Sequence, residues 1–196
     1  MSDAIPRFNY GFYGKIPSAG DFVSRDIPYG YVQYFDDWFS AGMVGLFSDH
    51  QDWLNNYLTA PVWNFVICPG VWGEEYLYGA VMPSVDSVGR YFPFAAILRG
   101  DSLVDLVSVS DLHLLASNLP ILLQGNFLPD EVCAFLAEHV KSEMPVSGVL
   151  AALDVIESDA DESYWWCADT GLDMHTAIEH HGPLNYQLFK RLFLEF

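Results

Sequence analysis

A chain of 196 residues, 52% hydrophobic and 16% aromatic, has the length of one ordinary domain and the apolar content for a large core. Disorder requires low hydrophobicity together with high net charge, so a disordered chain is excluded even though the formal charge is −18. That charge, 26 acids against 8 Lys and Arg, repels phosphates; it argues against binding nucleic acid or anionic lipid and favours partners with basic patches.

Residues 8–16, Phe8 to Ile16, are aromatic with interspersed Gly, as in a strand entering a loop. Pro17-Ser18-Ala19-Gly20-Asp21 is turn chemistry, with Gly20 free to adopt a positive φ. Asp26 and Pro28 then precede a helix over about 29–47. Its Tyr31, Phe35, Trp38, Phe39, Gly42, Met43 and Leu46 share one packed face at i, i+4, i+7 spacing. A short helix is predicted over Asp52 to Leu58, ended by Pro61. Val62–Cys68, Leu77–Met82 and Phe94–Leu98 are apolar runs too short for core helices. They read as three strands, consecutive antiparallel neighbours in a sheet.

The second half changes character. Segments 103–124 and 130–143 are Leu-rich at helical spacing, with Asp111 and Asp130 as caps. The acidic run Glu157 to Ser163 reads as a mobile, solvent-facing loop. Tyr164–Ala168 resembles a late strand, and Asn185–Leu194 a terminal amphipathic helix. The sum is a single domain over 1–196, with a sheet-bearing half at about 8–100 and a helix-rich half at about 101–196. The expected class is α/β (α+β), a mainly antiparallel or mixed central sheet between helices in a three-layer sandwich.

Cys68, Cys133 and Cys167 are far apart, odd in number and set in apolar surroundings, and no CxxC pair occurs. Free buried thiols in a reducing compartment are the expectation. The start, MSDAIPRFNYGF, lacks the pattern of a signal peptide. No stretch approaches the ~18 to 20 apolar residues of a membrane span. The expected location is the cytoplasm, without membrane insertion.

Three sets of residues bear on catalysis or cofactors. In GFYGK, residues 11–15, a phosphate loop would need Gly at position 9 and Ser or Thr at position 16, where Asn9 and Ile16 stand. His175, Glu179, His180 and His181 form the densest metal-capable cluster. Their i+5 and i+6 spacings miss the i, i+4 pair of a zinc helix, and they read as exposed or capping histidines near Gly182-Pro183. Ser84, Asp86 and a histidine could compose a hydrolytic triad, but MPSVD lacks both glycines of a nucleophile elbow. Ser18 and Ser24 sit in no better setting. No catalytic residue, metal ligand or cofactor is therefore assigned.

The loops Gly14–Phe22 and Met82–Pro93 are the most unusual in composition, and Lys15, Arg25 and Arg90 lie in or beside them. Asp86 and Arg90, four apart across a Gly turn, can pair with each other. Alternatively they cross-pair with Arg25 and Asp21, or with Asp36 and Asp37 on the aromatic helix. Such pairs are strong when partly shielded. Lys15, Asp21, Arg25, Ser84, Asp86 and Arg90 are thus candidates for a clamp between two loops, for a partner-binding surface, or for both.

The blocks GKIPSAGDFVSR (14–25), DDWFSAG (36–42), YLTAPVWNF (57–65) and MPSVDSVGRYFPF (82–94) resemble, in order and separation, the TagF (ImpM) family of type VI secretion-associated proteins. Gly14, Pro17, Gly20, Trp38, Pro61, Trp63, Pro83, Gly89 and Pro93 carry the resemblance. It is close over residues 10 to about 100 and weaker at SYWW (163–166). The resemblance implies a non-enzymatic, post-translational repressor of type VI secretion acting on the system's forkhead-associated (FHA) scaffold protein. Some relatives of this kind carry a fused phosphatase domain, for which a chain ending at Phe196 has no room. The alternatives are a hydrolase-like enzyme using Ser84 and Asp86, and a structural subunit of the secretion apparatus.

Overall fold

In the computed structural model, described over residues 11–49, 51–100, 109–139, 161–167 and 178–196, one seven-stranded sheet runs through both halves of the chain. The strands are β1 (Gly11–Gly14), β2 (Val23–Arg25), β3 (Trp63–Ile67), β4 (Tyr76–Met82), β5 (Phe94–Gly100), β6 (Glu162–Cys167) and β7 (Ile178–His181). Their order is β2-β1-β5-β4-β3-β6-β7, and every pairing is antiparallel. The expected β3-β4-β5 neighbours therefore lie at the centre, and β6 adds to β3 with Asn64 opposite Trp166.

Helices cover both faces, which is why the central strands are apolar on alternate and intervening residues alike; all five residues of β3 are buried. On one face α1 (Tyr29–Asp49), α2 (Trp53–Thr59) and α6 (Tyr186–Phe193) pack Phe35, Phe39, Tyr57, Phe189 and Phe193 against Phe65, Val81 and Trp165. On the other, α3 (Val109–Asn118), α4 (Ile121–Gln124) and α5 (Pro129–His139) pack Leu115, Leu122, Val132 and Leu136 against Phe12, Val66, Tyr78 and Trp166. This is the expected three-layer α/β arrangement, its sheet antiparallel.

Tryptophans join the aromatic layer to the chain's C-terminal segment. Trp38 Nε1 donates to the carbonyl of Asn185 at 3.0 Å, and Trp63 Nε1 to that of Leu192 at 2.8 Å. Asn185 also caps α6, its side chain accepting from the Leu188 N–H. Lys190 and Arg191 in the last turn of α6 complement the helix dipole.

Several local expectations are corrected. The single helix over 103–124 is interrupted after Asn118, because Pro120 has no N–H to continue the ladder; α4 starts afresh behind it. Residues 101–108 and 140–160 lie outside those described, as do residues 8–10, and so does the side chain of Asp111. Asp130 is not a cap. It sits inside the first turn of α5, where Glu131 reaches back to the Leu128 N–H at 2.7 Å. Glu162 and Ser163 are not loop residues but buried members of β6, and His180 and His181 lie on β7, His181 exposed as expected, rather than acting as caps. Val23–Arg25 pairs as a strand although it is only three residues long. Pro61 precedes β3, and Pro83 and Pro93 bracket the loop between β4 and β5.

Candidate functional site

The β1–β2 and β4–β5 loops meet at one end of the sheet because β1 and β5 are neighbours, with Gly14 opposite Phe94. Gly14 has φ +139°, and a Cβ there would stand 2.2 Å from the Pro93 carbonyl oxygen, so only glycine lets the two chains approach. Gly89, at φ +85°, turns the second loop back on itself. Gly20 does not use a positive φ; its carbonyl instead accepts from Arg90 Nη2.

Asp86 organises the junction. Oδ2 accepts from Lys15 Nζ at 2.9 Å and from Arg90 Nε at 2.7 Å. Oδ1 accepts from the backbone N–H groups of Val88 (3.0 Å) and Arg90 (2.8 Å). Lys15 and Asp86 are both buried, while the Arg90 side chain is 58% exposed. Burial pushes the Asp86 carboxyl upward, but the hydrogen bonds from Lys15, Arg90 and Val88 outweigh it and hold the group below the ordinary carboxylate range. Ser84 is buried alongside, its Oγ donating to the Lys15 carbonyl at 2.7 Å. Ser87 N–H donates to the Ala19 carbonyl at 2.9 Å, and Ser18 Oγ reaches the Phe127 carbonyl, which ties both loops together and the first one to the α4–α5 turn.

Four of the six candidate residues, Lys15, Ser84, Asp86 and Arg90, therefore converge. Asp21 and Arg25 do not join them. Asp21 is exposed and accepts from its neighbour Phe22 N–H, whereas Arg25 Nε pairs with Asp130 at 2.8 Å. Asp36 is taken by the Tyr13 hydroxyl, so the cross-pairs with Asp21, Arg25 and the aromatic helix are replaced by Lys15. The clamp presents Phe22, 45% exposed under Lys15 Nζ and edge-on to Phe92, and Val88, 68% exposed.

At the opposite side of the sheet, His181 spans two carboxylates, with Nδ1 2.9 Å from Glu162 Oε1 and Nε2 3.2 Å from Glu179 Oε1. Glu162, Glu179 and His181 can bring ligand atoms within 4.8 Å of one another and are the group among the described residues that could hold a metal ion. Both imidazole nitrogens are already engaged, so the arrangement serves as it stands to close the β6–β7 pair. Glu162, expected in a loop, was not grouped with the histidines because its distance from them in sequence hides a direct pairing with His181 across the strands. His180 Nε2 lies 3.0 Å from the Pro183 carbonyl, and His175 falls outside the described residues. Cys68 is buried, and burial followed by the Glu162 charge pushes its thiol up to about 11. Cys133 and Cys167 are only partly buried, and Cys133 Sγ contacts Asp26 Oδ2 at 3.5 Å rather than purely apolar groups.

Asn64, Tyr78 and Trp166 form a further group that carried no signal in the sequence. They lie on adjacent strands and the same sheet face, buried. The Asn64 amide, the Tyr78 hydroxyl and the Trp166 indole N–H have no hydrogen-bond partner among the described residues.

Likeness to a solved structure gives the class first. The fold matches the crystal structure of PA0076 from Pseudomonas aeruginosa PAO1 with a TM-score of 0.73 and 27% identity, over 95% of this chain and 94% of that one. No protein with a curated description matches by sequence. Residues 11–116, more than half of the chain, match the TagF N-terminal domain, type VI secretion system-associated, and the chain belongs to that family. It is a type VI secretion-associated α/β protein. None of its described helices is long and apolar enough to cross a membrane.

Proposed function

We propose that this protein restrains type VI secretion after translation by binding the FHA-domain scaffold protein of the system in the cytoplasm, without catalysing a reaction. The observation that carries the reading is the clamp around Asp86. Its four acceptor bonds and the bond from Ser84 Oγ to Lys15 commit the chemically capable groups of the motif loops to holding those loops in place. A fixed loop pair presenting Phe22 and Val88 is suited to recognition, since preorganised apolar contacts lose little freedom on binding. A standard interface of about 800 Å² per partner lies within reach of a domain of this size.

The test has a cellular and a biochemical arm. Overproduction is expected to block release of the secreted tube protein, and deletion to raise it. Phe22→Ala with Val88→Asp is expected to lose co-purification with the scaffold while melting like the parent. Secretion indifferent to both dose changes would end this reading, and stoichiometric recovery with assembled particles would favour a structural subunit instead.

A further inference from the structure

We infer that the outer face of α1 is a docking stripe for a cationic amphipathic helix of a partner protein. The inference rests on the reading of this chain as a binding module and adds a second contact face with its own chemistry.

Helix α1 buries Phe35, Trp38, Phe39, Gly42 and Leu46 against the sheet and α6 and leaves the opposite side open. A solvated helix face is ordinarily polar. Here Tyr34, Ala41, Val44 and Phe47 are exposed, Val44 by 66% and Phe47 by 72%. Spacings of seven, three and three residues keep them on one side of the helix over about 20 Å, at 1.5 Å per residue. Both ends of the stripe are extended by large aromatics. Tyr34 stacks on Trp72 with ring centres 5.7 Å apart and planes 8° from parallel, and Phe47 meets Trp53 edge-on at 6.0 Å.

The rim is dominated by carboxylates, and Arg99, which lies over the Tyr31 ring near the stripe's Tyr34 end, is already paired with Glu75. No Lys or Arg occurs between Arg25 and Arg90 in the sequence, so α1, α2 and the β3–β4 turn contribute no such cation. Exposed Asp37 lies on the stripe itself, Asp49 and Asp52 follow Phe47, and Glu74 follows Trp72. An apolar track about four helical turns long with carboxylates along it fits a helix with apolar anchors at i, i+3/i+4 and i+7 and Lys or Arg beside them. Charge complementarity steers such a partner in, and the apolar contacts hold it. A second copy of this chain is a poor occupant, since its own −18 charge would oppose the approach.

The probe is a 14-residue Lys/Leu amphipathic peptide, compared with a scrambled peptide of identical composition, each titrated into the purified full chain. The amphipathic peptide is expected to bind at least tenfold tighter than the scrambled one, and Val44→Glu/Phe47→Glu to remove that advantage. Ala41→Glu, a substitution an exposed helix accepts, gives the same answer should the double variant melt early. These variants make the protein more acidic, so attraction by charge alone would leave binding unchanged or stronger, and that result overturns the inference. A wild-type dimer in sedimentation equilibrium that Val44→Glu/Phe47→Glu dissociates also overturns it, by assigning the stripe to a second copy. Scaffold binding is measured separately with Phe22→Ala/Val88→Asp, so either proposal can fail without the other.

Discussion

Lys15 Nζ lies 2.9 Å from Asp86 Oδ2, joining two side chains 71 positions apart in sequence and both withdrawn from water. Removing one member of a buried pair strands the other, which costs about 3–5 kcal/mol, whereas a solvent-exposed partner contributes about 0–1 kcal/mol. Asp86→Ala and Lys15→Met are therefore expected to lower unfolding free energy by several-fold more than Arg90→Ala. The joint change Lys15→Met/Asp86→Leu should cost less than the sum of the single changes. Urea denaturation provides the measurement, and an Arg90→Ala cost equal to that of Asp86→Ala would contradict the assignment.

The same carboxylate sets a pH dependence. Asp86 titrates below the ordinary range when folded. A carboxyl depressed on folding contributes stability that is fully present above its unfolded value, ~3.9, and lost as pH falls through the folded one. The stability gap between wild type and Asp86→Asn is expected to be constant above about pH 5 and to narrow below about pH 4. A gap that widens on acidification, or stays flat to about pH 2, would show that the carboxylate is not held by these bonds.

Asn64 is fully buried between apolar neighbours, with neither amide atom bonded among the described residues. Burying an unsatisfied amide costs about 1–3 kcal/mol, so Asn64→Leu, which keeps the branch point, is expected to leave stability unchanged or raise it. Thermal melting decides the matter: a drop of more than about 3 °C, roughly 1 kcal/mol in a domain of this size, would reveal a partner for the amide.

Gly42 brings α1 onto α6. A Cβ at that position would lie 2.3 Å from Cγ of Phe189, whose ring is itself packed on Trp38 and Phe193. Gly42→Ala normally favours a helix by about 1 kcal/mol, but overpacking of this kind costs about 1–3 kcal/mol. Net destabilisation is expected in the single variant, with partial recovery in Gly42→Ala/Phe189→Leu. Equal melting of Gly42→Ala and wild type would show that the helices separate freely.

Much of this arrangement was legible in the residues. The packed face of α1, the central strands and the amphipathic α6 follow from periodicity, which burial imposes directly. The clamp was half legible: Asp86 and Arg90 sit four apart, so their pairing is local. Lys15 is brought to them only by the β1–β5 register, and no property of positions 15 and 86 announces that register. Arg25 finds Asp130 for the same reason, through a helix whose docking on β2 depends on the whole sheet. The His181 contacts were missed because β7 is short and mixed in polarity, which reads as loop until β6 is beside it.

The strand order has a practical consequence. The family match stops at residue 116, yet the strand beside β3 begins at Glu162. A recombinant fragment cut at the end of the match would strip β6 from β3 and α6 from the aromatic layer, baring the unpaired backbone of a strand whose every residue is normally buried. An open apolar edge of that kind templates aggregation. Such a fragment should be insoluble even though it retains all four motif blocks, because the half of the chain that carries the identity is not a half that can stand alone.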